Sequence, residues 1–525
     1  MWRGPQTISE MLRRNVVDFS DREAFVSVLY QAGQWVRHTW REMDQITDRL
    51  AAGLVELGIR KGQKVAFMNT NSAECYYSYL AAHKLGVVFV PINVRLVARE
   101  VEFVVGHSDA EFIIFGSEFS TLVDQIRTKL GGLKGFVCIG REGESIADWA
   151  VPFTKLLETP GQAPEVLIGP EDEADLIYTT GTTGRPKGVV LTEANKVANG
   201  RMNGAAFALY RKHHQPVRMQ TAFPFFTSTG VSSVLMSWLY YGYLLILEPT
   251  FDVVFALETI QREKSTAYGS APSMMIYMID HPRLKEFDTS SLQSILYGGS
   301  AMPEEVIRRI LTIWPGMKLY NIYGLTEGGV GGTRLDACDV LRKIGSIGLP
   351  WGPDQEGRIV DDQDRNVGVG EVGEIILRGP NVMKEYYKDP EATRETLRNG
   401  WLHTGDLGYY DEDGYFYYKD RKKDMIVRGG FNIYSIEVES VLYEHPAVKQ
   451  CAVIGKPHPK LGEDVLAFVV LMEGKRVSVE ELVDFCSDKL ADYKRPRDIR
   501  FVDTLPINPM GKLDKKAIRA KYLIS

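Results

Sequence analysis

Four short apolar runs early in the chain limit its fold more than any other feature. They are Lys64-Val65-Ala66-Phe67-Met68, Val87-Val88-Phe89-Val90, Phe112-Ile113-Ile114-Phe115 and Phe136-Val137-Cys138-Ile139. Stretches of helical character separate them; the clearest is Ala73 to Leu85, which Gly86 closes. Strands recurring between helices predict βαβ units and a largely parallel sheet. The alternation continues through Ser294-Ile295-Leu296-Tyr297 and Lys318-Leu319-Tyr320-Asn321. After about residue 350 the texture changes to short strands divided by Gly, Asp and Asn turns: 357–360, 373–377 and 415–418. These read as antiparallel hairpins forming a small barrel. Beyond the charged stretch Asp420 to Asp424 lies a self-contained α+β pattern. It holds a helix from Ile436 to Tyr443, strands at 451–454 and 466–470, and a helix begun by the capping box Ser478-Val479-Glu480-Glu481. The expected fold is therefore α/β: a large N-terminal domain of parallel α/β sheets with a small β-barrel-like subdomain, then a small α+β C-terminal domain.

At 525 residues the chain exceeds one ordinary core, so two or more domains are expected. Its 44% hydrophobic and 25% charged content is that of a soluble globular protein. A net charge of -6 with scattered basic residues offers no face to a nucleic acid. The N-terminus lacks the apolar core of a signal peptide. The longest apolar run, Val231 to Leu247, is broken by serines and Gly242 and falls short of the roughly 20 residues a spanning helix needs. It reads as a buried helix, a turn at Gly242 and a core strand, so no transmembrane segment is expected. Five cysteines without metal-ligand spacing suggest reduced core thiols and a cytoplasmic protein.

Chemistry concentrates first in Tyr178-Thr179-Thr180-Gly181-Thr182-Thr183-Gly184-Arg185-Pro186-Lys187-Gly188, set between Leu176-Ile177 and Val189-Val190-Leu191. Glycines let successive N–H groups converge on one anion, hydroxyls add donors, and Lys187 adds a full charge. The segment is not a Walker loop, and a polar hairpin loop is its bland alternative. Four further segments stand out. Tyr297-Gly298-Gly299-Ser300-Ala301 puts small residues after a strand; alone it reads as a tight turn. Asn321-Ile322-Tyr323-Gly324-Leu325-Thr326-Glu327 sets an aromatic, a hydroxyl and a carboxylate at a strand end, where open α/β sheets bind ligands. Its Thr and Glu are hard oxygen donors suited to Mg²⁺. Trp401-Leu402-His403-Thr404-Gly405-Asp406 supplies a carboxylate on what reads as a turn. Pro506-Ile507-Asn508-Pro509-Met510-Gly511-Lys512 holds a loop from which Lys512 projects.

In this order and spacing the segments resemble the adenylate-forming superfamily of acyl-CoA synthetases, adenylation domains and luciferases, over nearly the whole chain. The resemblance implies that ATP and a carboxylic acid form an acyl-adenylate, and that coenzyme A then takes the acyl group. It implies an adenylation domain over 1–420 and a mobile C-terminal domain over 421–525, hinged near Lys423. Thr179, Thr180, Gly181, Thr182, Thr183 and Lys187 would hold the β- and γ-phosphates, with Glu327 and the Thr179 hydroxyl at Mg²⁺. Gly299, Ser300 and Ala301, with Asn321, Ile322, Tyr323 and Gly324, would enclose adenine. Thr326 would reach the α-phosphate, Asp406 and Arg421 the ribose. Lys512 would bridge carboxylate and α-phosphate during adenylation, and Gly429 and Gly430 would help form the pantetheine tunnel.

The chain departs from the family pattern where Phe223-Pro224-Phe225-Phe226 is followed by Thr227 instead of histidine. Thr227-Ser228-Thr229-Gly230 offers no carboxylate for a substrate ammonium, which disfavours an amino acid. Phe226, Thr227, Gly230, Val231, Gly299, Gly329 and Val330 are the candidate acyl pocket. Val234, Leu235 and Met236 extend its apolar wall, and Gly328 to Gly332 keep it roomy. A fatty, alicyclic or aromatic acid follows. The partners expected are that acid, ATP and CoA, with a homodimer as one option. Loading a carrier protein in trans is the alternative acceptor chemistry; a luciferase-like oxidase and a nucleotide sensor rank below it.

Overall fold

The computed structural model describes residues 4–29, 33–141, 143–179, 186–204, 217–352, 354–507 and 513–523. The chain divides into two compact units. One comprises Met1–Gly357 with Leu377–Leu402, the other Arg358–Ile376 with His403–Ser525.

In the first unit the four apolar runs form strands Lys64–Met68, Val88–Pro91, Phe112–Gly116 and Gly135–Ile139. Lys64–Met68 pairs in parallel with both Val88–Pro91 and Phe112–Gly116, which pairs in parallel with Gly135–Ile139. The crossover helix Ala73–Lys84 is buried along almost its whole length, which explains why its sequence lacks a polar face. Gly86 follows at φ +64, a conformation that costs glycine little. Glu173–Thr179 joins this sheet in parallel, and Lys187–Thr192 and Glu385–Tyr386 close it as antiparallel strands.

A second sheet runs in the order Ser346–Pro350, Thr333–Leu335, Lys318–Tyr323, Ser294–Gly298, Ala267–Ser270, Arg218–Thr221, Leu244–Leu247, Glu23–Val28, Trp35–Thr39. From Lys318–Tyr323 to Glu23–Val28 every pairing is parallel. One core joins the two sheets: Phe67 and Phe89 from the first, Phe25 and Leu245 from the second, and Tyr76, Phe225 and Trp238 between them. Trp40 stacks on Trp238 at 4.8 Å and Tyr76 meets it edge-on at 5.6 Å. These are the geometries the ring quadrupole favours. The run from Val231 resolves as expected into helix Leu235–Tyr241, a left-handed Gly242 at φ +67 and strand Leu244–Leu247. A π-helical turn, Thr229–Val234, precedes it. Among the described residues no helix is long and apolar enough to cross a membrane.

The later part of the chain holds the short strands Glu356–Val360, Gly373–Arg378, Trp401–Tyr410 and Phe416–Arg421, hydrogen-bonded in that order. After them a separate sheet is ordered Phe431–Ile433, Ile426–Arg428, Gly462–Leu471, Val448–His458, with Asp498–Phe501 parallel on Gly462–Leu471. Helices Ser435–Tyr443 and Val479–Ser487 pack on it around Val438, Leu442, Val453, Ala467 and Leu482. Ser478 and Glu481 form the expected reciprocal cap. All five cysteines are free thiols, and Cys338 is the exposed one.

Candidate active site

Strands Ser294–Gly298 and Lys318–Tyr323 set their carboxyl ends side by side, with Gly298 opposite Ile322. A Cβ on Gly298 would lie 2.4 Å from the Ile322 carbonyl oxygen, so the approach requires glycine. Gly299 turns the chain at φ +82, leaving Gly299, Ser300 and Ala301 exposed. Asn321 Nδ2 donates to the Ser346 carbonyl at 3.2 Å, and Tyr323 is half-buried at the strand end. The two segments assigned to adenine are thus neighbours at parallel strand ends, the usual ligand crevice of such sheets.

The threonine-rich segment is the mouth of an antiparallel pair, with Thr179 ending one strand opposite Lys187 at the start of the next. Thr180, Gly181, Thr182 and Thr183 lie outside the described residues. Lys187 Nζ rests over the Tyr386 ring, 4.8 Å from its centroid. The Tyr386 hydroxyl donates to Glu327 Oε1 at 2.7 Å. One tyrosine therefore links the base of the loop to the candidate metal carboxylate. Burial, then the Glu327 charge, hold the phenol well above its ordinary pKa, so it stays a donor. Glu327 lies in the 3₁₀ turn Thr326–Gly328. The buried Asn381 clamps that turn, its Nδ2 donating to the Gly328 carbonyl at 2.6 Å and the Gly331 carbonyl at 3.0 Å. Gly324 fits beneath the same loop, where a Cβ would lie 2.6 Å from the Val330 backbone. Sequence reasoning missed Tyr386 and Asn381. The available signal was an aromatic pair, Tyr386-Tyr387, inside a polar stretch.

Thr326 Oγ1 shares a 3.0 Å hydrogen bond with Ser228 Oγ, joining the YGLTE turn to the segment that departs from the family pattern. Thr227 spends its hydroxyl locally, donating to the Pro224 carbonyl at 2.7 Å and accepting from Gly230 N at 3.0 Å. It thereby satisfies one backbone donor of the π-helical turn. Gly230 is compelled by packing, since a Cβ would meet the Pro224 carbonyl oxygen at 2.3 Å. Phe226 is buried beside it, and Val231, Val234, Leu235 and Met236 belong to the main core. The expected roominess is not found at Gly329 or on the Cβ side of Gly331. A Cβ on Gly329 would lie 2.1 Å from Asn199, and one on Gly331 2.7 Å from Met202 Cε. These glycines let the turn sit tightly on helix Glu193–Asn203. Val330 adopts φ +63, costly for a β-branched residue, and its N–H donates to the Leu325 carbonyl at 2.8 Å.

In the second unit Asp406 faces Arg421 across the Trp401–Tyr410 and Phe416–Arg421 pair, with Oδ1 and Nε 3.2 Å apart. Asp406 is buried and Arg421 half-exposed. The expected turn at Asp406 is instead strand: Gly405 takes φ +70 within it, held by its N–H to Glu374 Oε1 at 3.0 Å. Lys423 is exposed in the turn after Arg421, where Asp424 N donates to the Arg421 carbonyl at 2.8 Å. Gly429 and Gly430 are the central residues of the hairpin pairing Arg428 with Phe431, at φ +60 and +85. Two positive φ values in a two-residue loop demand such residues. Lys512 lies outside the described residues.

A family model of AMP-binding enzymes matches residues 12–387, and a model of the AMP-binding enzyme C-terminal domain matches residues 437–512. The chain belongs to the AMP-binding enzyme family. It is an AMP-forming acid–thiol ligase of the acyl-CoA ligase kind. It is 35% identical to a feruloyl-CoA synthase of Amycolatopsis over 93% of this chain and 95% of that protein. To a long-chain-fatty-acid–CoA ligase of Mycobacterium tuberculosis it is 35% identical over 98% and 99%. The o-succinylbenzoate coenzyme A synthetase of Bacillus subtilis, solved with ATP and magnesium, superposes with a TM-score of 0.82 at 31% identity, covering 96% of this chain and 98% of that one.

The donors in this ligase fit a magnesium ion carried by a polyphosphate. Among the described residues no cluster of three or more acidic, His or Cys side chains forms a cage. Glu327 stands with a threonine-rich mouth, and Mg²⁺ typically takes one or two carboxylates alongside substrate phosphates.

Five buried ionisable side chains flank the same region. Lys196, fully buried, ion-pairs with Asp175 and donates to the Val231 carbonyl at 3.1 Å and Ser232 Oγ at 2.9 Å. His83 completes the network, its Nε2 3.3 Å from Asp175 and Nδ1 3.1 Å from Glu193. Glu248, also fully buried, accepts from Gln220 Nε2 at 2.8 Å, and burial pushes its carboxyl up to about 7. Asn71 ties it to the Thr227 segment, donating to the Glu248 and Phe223 carbonyls while accepting from Phe225 N.

Proposed function

We propose that this enzyme joins a fatty, alicyclic or aromatic acid to coenzyme A, forming AMP and pyrophosphate through an acyl-adenylate. The observation that carries this reading is the meeting of Lys187, Tyr386 and Glu327 at the base of the threonine-rich segment. Adenylation brings together two anions, carboxylate and α-phosphate, so catalysis rests on positioning and on charges fixed before reaction. Lys187 and the threonine hydroxyls hold the terminal phosphates. Glu327, with Thr179, would hold Mg²⁺, which would supply charge neutralisation when bound with ATP. The Tyr386 hydroxyl fixes the Glu327 carboxylate. Thr326 meets the α-phosphate, Gly299 to Ala301 and Asn321 to Tyr323 enclose adenine, and Asp406 with Arg421 takes the ribose. Lys512 bridges the two reacting anions.

For the second step the functional division falls at residues 420–421. Residues 421–525 turn about Lys423, and Gly429-Gly430 come to line the pantetheine path. The acyl groups named for the relatives, feruloyl and long-chain fatty acyl, support an aromatic or fatty acid. Five unpaired cysteines, four of them buried, support a reducing, cytoplasmic setting. The test is carboxylate-dependent ATP–pyrophosphate exchange together with AMP release that requires CoA. Exchange without CoA-dependent release would move the acceptor to a carrier-protein thiol; no exchange with any acid would refute the reading.

A further inference from the structure

Burial normally obliges a guanidinium to use all its donors, and Arg334 leaves two of its nitrogens unanswered among the described residues. It lies in strand Thr333–Leu335, directly opposite Ile322 across the antiparallel ladder, and is 7% exposed. Its Nη2 forms an ion pair with Asp336 Oδ1 at 2.5 Å. Arg334 Nε and Nη1 are buried and have no hydrogen-bond partner among the described residues. The guanidinium instead stacks on Trp351, 3.0 Å from the ring centroid, with Tyr320 at 5.6 Å. Trp351 is itself fixed, its Nε1 donating to the Met202 carbonyl at 3.2 Å. Rings hold the cation in place but leave those donors unanswered.

A cavity opens beside it, lined by Arg334, Trp351, Met202, Asn203, Ile322 and Gly332. Asn203 contributes a further buried donor, Nδ2, without a partner among the described residues. The place of this cavity in the fold matters. Ile322 belongs to the strand end assigned to adenine, and Gly331-Gly332 continue directly from Gly329 and Val330, the residues expected to border the acyl group. A wholly apolar acyl chain reaching the cavity would leave all these donors desolvated and unsatisfied. An oxygen acceptor would answer them.

We propose that Arg334 and Asn203 form a polar subsite that receives an oxygen acceptor, a ketone or a second carboxylate, at the distal end of the acyl substrate. The proposal rests on the ligase reading above and narrows its substrate class to oxygenated acids. Asp336 already offsets the arginine charge, so a neutral ketone needs no further counter-ion. Paired acids separate the two acceptors: octanoate with its dicarboxylate of equal length, and a cyclohexyl-propanoate with its ring-ketone analogue.

With the full-length enzyme, kcat/KM from AMP release should favour at least one oxygenated member about tenfold or more over its plain partner. Arg334→Met should collapse that preference about 10- to 100-fold and leave the plain acids within about threefold. Preference for both plain acids in the unaltered enzyme would overturn the subsite. So would an Arg334→Met loss that is equal for plain and oxygenated acids, the mark of a purely structural arginine. Should no acid support AMP release, the ligase reading fails first. Calorimetric binding of the dicarboxylate and the ring ketone then judges the subsite alone. Binding lost in Arg334→Met supports it, and binding absent or unchanged overturns it.

Discussion

Tyr386 shows how much of the site hangs on one hydroxyl. It is the donor that fixes Glu327, and its ring carries Lys187. Tyr386→Phe keeps the ring but removes a hydrogen bond to a charged group, worth about 1.5–3 kcal/mol. Pyrophosphate exchange should therefore fall about 10- to 100-fold in kcat/KM for ATP, with the fold unchanged by circular dichroism. An exchange rate within twofold of the unaltered enzyme would remove Tyr386 from the site. Glu327 and Thr326 were legible in the sequence because they stand as polar residues at an apolar strand end. Tyr386 was not, because it lies 59 residues from its partner and only folding supplies the contact.

Glu248 yields a pH dependence at the same scale. Its carboxyl is raised from 4.5 to about 7, so the folded state keeps a proton that the unfolded chain releases between those values. Stability from this group is intact below pH 4.5, declines as pH rises towards 7, and stays diminished above it. The shift corresponds to about 3 kcal/mol. Glu248→Gln, which keeps the shape and removes the charge, should raise the urea midpoint at pH 8 and leave it nearly unchanged at pH 4.5. Equal effects at both pH values would contradict the assignment.

Among elements, the π-helical turn Thr229–Val234 is held from below by the Lys196–Asp175–His83–Glu193 network. Removing one member of a buried pair strands the other, at about 3–5 kcal/mol. Lys196→Met should destabilise the first unit by that amount. Lys196→Met with Asp175→Asn should recover part of it, as urea unfolding would register; strict additivity would mean the pair is uncoupled. The parallel strands were readable because burial on both faces makes a strand continuously apolar, as in Phe112–Gly116. The Asp406 strand was misread as a turn because Gly405 brings a turn-like φ into a ladder that continues through it. Gly329 was misread as open space, since a glycine run looks alike whether it borders a cavity or a helix. Helix Glu193–Asn203 decides between them.

For the whole molecule, the two-step reading requires the chain to turn at Lys423. Proline there fixes φ. Lys423→Pro should leave pyrophosphate exchange within about threefold and lower thioester formation from supplied acyl-adenylate at least tenfold; equal loss in both steps would place the hinge elsewhere. The interleaving of residues 358–376 and 377–402 between two compact units was beyond the sequence, whose turn-rich texture is uniform across that span. The thiols offer a means of following such motion. With Cys75, Cys138, Cys451 and Cys486 buried and Cys338 exposed, a maleimide dye should attach at one position of the unaltered chain. Desolvation by its neighbours and the Asp339 carboxylate raise the Cys338 pKa, so attachment should speed up as the buffer becomes more alkaline. Mass spectrometry should count one adduct on the native enzyme and five in denaturant, leaving a single fluorescent reporter without any engineered cysteine.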